Sequence, residues 1–113
     1  MDSEKMAELR ALGGNDFMVK IITQFVQDVA QCVMQLQNAI ETENRAELAK
    51  TAHGLKGICR NIGVQQLAEL AFAMEKNGQH DSFDKLGDQF STLEKELVQV
   101  QKALEQEVAQ HST

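Results

Sequence analysis

The residues best suited to chemistry lie in one run, His53-Gly54-Leu55-Lys56-Gly57-Ile58-Cys59-Arg60-Asn61-Ile62-Gly63. On a wheel at roughly 100° per residue, Leu48, Ala52, Leu55, Cys59 and Ile62 fall within about 40° of one direction, that of a core. His53 falls about 140° from it and faces outward. Ala46, Ala49, Gly57 and Arg60 share its side, with Lys56 nearer the boundary. Gly54 and Gly57 interrupt the helical stretch, where each costs roughly 1 kcal/mol relative to Ala. Gly57, one turn from His53, clears space beside the imidazole. Between residues 45 and 60, Arg45, Lys50, Lys56 and Arg60 stand against Glu47 alone, in a chain of net charge −6. A basic patch around an exposed histidine suits an anionic group on the ring, or an acidic partner.

Phosphoryl acceptance is the chemistry that fits these residue types. Neutral imidazole is a good nucleophile near pH 7. In-line transfer needs the attacking and leaving atoms on opposite sides of phosphorus, so the ring must be reachable from outside. A helix surface with small neighbours gives that reach, and Lys56 adds charge for the phosphoryl oxygens. A surface histidine alone is ordinarily just solvated. Here the company of Lys56, Gly57 and Gly63 decides for chemistry. Gly63 itself reads as a helix stop, Cys59 as core, and Met18, Met34 and Met74 as packing. His80 and His111, in a turn and a tail, read as incidental.

Five helical segments must position this run. A short one covers about Ser3 to Leu12 and is stopped by Gly13-Gly14. Asn15 or Asp16 caps the next, which runs to about Glu41 with Ile22, Phe25, Val26, Val29, Val33, Leu36 and Ile40 in one stripe. Asn44 caps the third, with Glu47 three residues on as in a capping box, and Gly63 ends it. The fourth spans about Val64 to Lys76, with Leu67, Leu70, Ala71 and Met74 on one side, and Asn77-Gly78 closes it. Asp81 or Ser82 caps the last. Its stripe of Phe83, Leu86, Phe90, Leu93, Leu97, Val100 and Leu104 alternates steps of three and four. Gly87 weakens its first turns. Four amphipathic helices with short connections predict an all-α antiparallel four-helix bundle. The short N-terminal helix is expected to act as a lid on one end, and the last helix is long enough to protrude.

Composition agrees. The chain has 113 residues, 42% apolar and 25% charged, with no Pro, Trp or Tyr. That is one domain, residues 1–113, and the lack of proline argues against a loop-rich sandwich or barrel. The acidic balance disfavours nucleic acid and anionic lipid as partners. No apolar run approaches the ~18–20 residues that span a bilayer, and the start has no secretory h-region. Cys32 and Cys59 are far apart in sequence and read as reduced thiols of a cytoplasmic protein.

His53-x-Leu55-Lys56-Gly57, followed by Gly63 and Leu67, resembles the signature of histidine phosphotransfer (HPt) domains of two-component phosphorelays. The resemblance covers most of the chain, because helical order and lengths also agree. It implies that His53 is phosphorylated on Nε2 by a receiver-domain aspartyl phosphate and passes the group onward, with Lys56 and Gly57 as the matching lysine and glycine. Ile58 and Cys59 depart from the small residues often found after that glycine. Some members carry a glutamine bonded to the histidine ring where Glu75 stands. Glu75 could accept from Nδ1–H, or be a solvated acid. The partners implied are response-regulator receivers and a hybrid sensor histidine kinase. The chain is expected to be a cytoplasmic monomer, free or as the C-terminal domain of a membrane-bound kinase. Mg²⁺ is expected on the receiver, with no cofactor or metal of the chain's own. Ala49, Lys50 and Arg60 are the expected docking positions.

Two other classes compete. A metal or haem bundle would want Glu-x-x-His pairs or facing axial ligands, and neither His53 nor His80 has an acid three residues before it. A helical adaptor would use the same face without chemistry. A kinase is excluded by the lack of a nucleotide-binding Gly-rich loop.

Overall fold

The computed structural model describes residues 3–80 and 83–110. Four helices run through them: α1 (Ser3–Glu41), α2 (Arg45–Ile62), α3 (Gln65–His80) and α4 (Asp84–Gln110). Each packs on its neighbours in sequence and α4 closes on α1, so the bundle is a ring of four with no diagonal packing among the described residues. The core lies along the axis, where Met18, Leu36, Leu48, Leu55, Leu67, Met74, Leu86, Leu93 and Leu104 are fully buried. The stripes expected from periodicity supply these contacts. Met34 does not: it is 72% exposed, because it follows Val33 on the helix and turns off the stripe.

The two N-terminal helices expected from the sequence are one element bent at Gly14 (φ 73°, ψ −162°), a backbone state that favours glycine. Helical turns resume at once beyond the bend. The arm before it lies over one end of the bundle, as the lid expectation requires. Met6 is buried, Leu9 packs against the core, and the Arg10 guanidinium donates to the Glu107 carboxylate at 2.7 Å and its carbonyl at 3.2 Å. That arm also corrects the expectation that α4 would protrude. The last turns of α4 are held by it, with Leu104 fully buried.

Asn44 caps α2 as expected, its side chain accepting from the Glu47 N–H at 3.1 Å. The Glu47 carboxylate accepts from the Thr51 hydroxyl at 3.5 Å. Gly63 ends α2 in the left-handed conformation, its N–H donating to the Arg60 carbonyl at 3.2 Å. α3 overruns its expected stop. It continues through Asn77-Gly78 to His80, which is therefore helical and not in a turn. Gly78 works there as a close-approach residue: a Cβ on it would lie 3.2 Å from Leu48 Cγ and closer still to a terminal methyl. Its carbonyl accepts from Arg45 at 3.1 Å, and the Arg45 guanidinium lies over the Phe83 ring. A glycine that admits the facing helix looks, in sequence, the same as one that ends its own. The expected caps Asp81 and Ser82, and His111, lie outside the described residues. The interior Gly87 does not break α4.

Candidate functional site

α2 is amphipathic with its apolar side inward. Leu48, Ala52, Leu55 and Cys59 are fully buried, and Thr51 and Ile62 nearly so. This fixes the rotation of the helix and therefore the outward direction of His53, in its middle. The His53 side chain is 66% exposed. A Cβ on Gly54 or Gly57 would meet nothing within 4 Å, so neither glycine is needed for packing within the chain. The space beside the imidazole is open.

α3 supplies the other half of the site. Glu75 follows the buried Met74 and is brought up against α2. Its Oε2 is 3.1 Å from His53 Nδ1, and its Oε1 accepts from the Lys56 ammonium at 3.2 Å. The Glu75 side chain is 16% exposed and that of Lys56 12%. One carboxylate thus bridges two groups on the facing helix. A carboxylate only accepts, so Nδ1 must be the protonated nitrogen of the ring. In neutral imidazole the lone pair then sits on Nε2, the nitrogen that Glu75 does not engage.

Lys56 does not stand free beside the histidine. It is mostly buried, bound to Glu75, and its ammonium lies 4.7 Å from the centre of the Phe72 ring. The basic patch expected from residues 45–60 is therefore partly neutralised from α3. A charge count along one helix cannot include its neighbour. Of the expected docking positions, Lys50 and Arg60 are exposed and Ala49 is half-buried. Arg60 borders an open hollow of about 320 Å³ with Glu69 and Phe72.

Phe72 is the residue that sequence reasoning missed. It is 40% exposed, and the ammonium of Lys76 also lies 4.7 Å from its ring centre. The available signal was a phenylalanine off the Leu67-Ala71-Met74 stripe, three residues before Glu75. Cys59 is core, as expected. Burial, with the neighbouring Cys32 as a lesser cause, pushes its thiol up to about 12. The Cys32 thiol is raised too, by burial and then by Asp28. Both cysteines are free. No helix among the described residues is long and apolar enough to cross a membrane.

The Hpt domain family matches residues 20–110, and the chain belongs to that family, the histidine-phosphotransfer intermediates of phosphorelays. The sensory/regulatory protein RpfC of Xanthomonas campestris pv. campestris, in two strains, is 32% identical over 69 residues. That match takes in 60% of this chain and 10% of the relative, so the chain spans about a tenth of the curated protein it resembles. The crystal structure of histidine-containing phosphotransfer protein B (HptB) from Pseudomonas aeruginosa PAO1 superposes with a TM-score of 0.89. It is 23% identical, over 97% of this chain and 95% of that one, a likeness of fold.

Proposed function

We propose that His53 is the phosphoacceptor of a relay, taking a phosphoryl group from the aspartyl phosphate of one receiver domain and giving it to another. The observation that carries this is the imidazole itself: two-thirds exposed, with Nδ1 tied to Glu75 and Nε2 left outward. The Nε2 lone pair attacks phosphorus from the side opposite the aspartyl oxygen. The N–P bond forms, the P–O bond to the aspartate breaks, and the carboxylate leaves with that electron pair. The phosphorylated ring keeps its proton on Nδ1 and becomes cationic, and the Glu75 carboxylate balances it. Return of the group to a second aspartate runs the same steps backwards.

Glu75 is thus a ring-orienting residue and Gly57 gives clearance for the donor. Charge at the phosphoryl oxygens is met by the receiver's carboxylates and the Mg²⁺ they hold, with Lys56 contributing from beside the ring. Ala49, Lys50 and Arg60 belong to the docking surface. The chain makes no phosphoryl group itself and hydrolyses no ATP; it carries. It works as a monomer in the cytoplasm, where a hybrid sensor kinase and response regulators present their receivers. The match to one tenth of RpfC is consistent with a carrier supplied as one module of a larger kinase.

His53→Gln is the test. The variant should fold with unchanged helicity, because its side chain reaches solvent, and should take no label from a phosphorylated receiver, while wild type takes a label that acid removes. Transfer retained in the variant would refute the assignment. Receiver binding to wild type without an acid-labile label would favour an adaptor.

A further inference from the structure

Of the five phenylalanines, Phe72 alone is exposed. Its place follows from α3, whose core face is taken by Leu67, Ala68, Ala71 and Met74. One step past Ala71 turns the ring about 100° away from that face. Water is a poor medium for a phenyl ring, yet this one is exposed and is met by two ammonium groups, from Lys56 on α2 and Lys76 on α3. A phenyl ring has few torsions to lose, so ordering it on binding costs little. Beside it is the hollow of about 320 Å³ bordered by Arg60, Gly63, Gln65, Ala68 and Glu69. That volume is at the lower limit for small-ligand sites, and Phe72 and Ala68 give the hollow an apolar wall facing the charged Arg60 and Glu69.

We infer that Phe72 and this hollow are a specificity contact for the phosphodonor receiver, receiving an apolar side chain of that domain flanked by a carboxylate; this rests on the function proposed above. Two features point to the receiver as occupant. The first is position. Phe72 is linked to the His53 ring by three successive contacts, Phe72 to Lys56, Lys56 to Glu75 and Glu75 to His53. A specific interface covers about 800 Å² per partner, a disc of about 16 Å radius, so a domain seated on His53 reaches Phe72. The second is charge. Lys56 and Glu75 offset each other, which leaves Lys76 at the ring, and Lys5 and Arg60 at the hollow, against Glu69. A domain whose phosphorylation pocket is built of carboxylates complements such a rim. An aromatic anchor with cationic neighbours is the kind of residue that carries binding energy out of proportion to its area.

The experiment compares Phe72→Ala and Phe72→Leu with wild type in two reactions. One is transfer from a purified receiver charged with acetyl phosphate, chosen from a panel as the fastest donor to the wild-type chain. The other is labelling by phosphoramidate, a small donor that needs no docking surface. Phe72→Ala should raise KM for the receiver about tenfold with kcat little changed, and Phe72→Leu should recover most of that loss. Phosphoramidate labelling should be the same in all three chains. An unchanged KM in Phe72→Ala would overturn the inference. So would an equal fall in both reactions, which would mean that the ring acts on His53 through Lys56 and not on the receiver. A wild-type chain that neither donor labels would remove the proposed function, and the inference with it.

Discussion

Glycine serves opposite ends on the two sides of α2. At Gly78, on α3, a Cβ would run into the buried Leu48 side chain, and the two helices close up because it is missing. At Gly54 and Gly57 a Cβ would meet nothing of the chain at all. The inner side spends helix propensity on packing, and the outer side spends it on access. The same residue in the same helical state is therefore structural in one place and, by the reading above, functional in the other. Substitution separates the two cases by the sign of the stability change.

The largest effect is expected on the packed side. Gly78→Val should destabilise the bundle by about 3 kcal/mol, because its branched side chain overpacks Leu48 and is stiff in a helix. Chemical denaturation measures it. A variant as stable as wild type would contradict the close approach of α3 to Leu48.

The buried thiol gives a second reading of the same packing. With the folded-state value of Cys59 raised to about 12 against an ordinary 9.0, the native chain holds a proton that the unfolded chain releases. Stability is then whole below about pH 9 and falls as pH rises toward 12, by up to about 1.4 kcal/mol per unit. Denaturation midpoints at pH 8, 9 and 10 should decline accordingly, and Cys59→Ala, less stable at every pH, should lose that extra slope. Equal slopes in the two chains would contradict burial of the thiol.

On the open side the signs reverse and the effects are smaller. Gly54→Ala and Gly57→Ala should each stabilise the chain by about 1 kcal/mol, since Ala is the better helix former and its methyl meets nothing. Only Gly57→Ala should slow transfer from a phosphorylated receiver, leaving phosphoramidate labelling intact. Equal transfer rates for the two variants would remove the clearance role from Gly57.

Much of this was legible in the order of residues, for a physical reason. The bundle is built from local periodicity, and the stripe that buries Leu48, Ala52, Leu55 and Cys59 fixes the outward turn of His53 with no reference to any other helix. The caps at Asn44 and Gly63 are local in the same way. What escaped depends on pairs of helices. Gly78 reads as a stop until Leu48 is seen beside it. Lys56 reads as free charge until Glu75 is brought to it from nineteen residues away. Phe72 carries no periodic signal, since it belongs to no stripe. The run of α4 beside the N-terminal arm rests on an Arg10–Glu107 pair that spans almost the whole chain. Glu75 was legible only through resemblance, and the structure sets its carboxylate 3.1 Å from Nδ1 of the ring.

The claim on which the rest stands is that Nε2 of His53 is the nucleophile and Nδ1 holds the proton. The wild-type chain, labelled with ¹⁵N-histidine and phosphorylated with phosphoramidate, tests it directly by two-dimensional ¹⁵N and ³¹P NMR. The account predicts one phosphohistidine, at His53, with phosphorus coupled to Nε2 and a proton on Nδ1. Phosphorus on Nδ1, or on any residue other than His53, would contradict it.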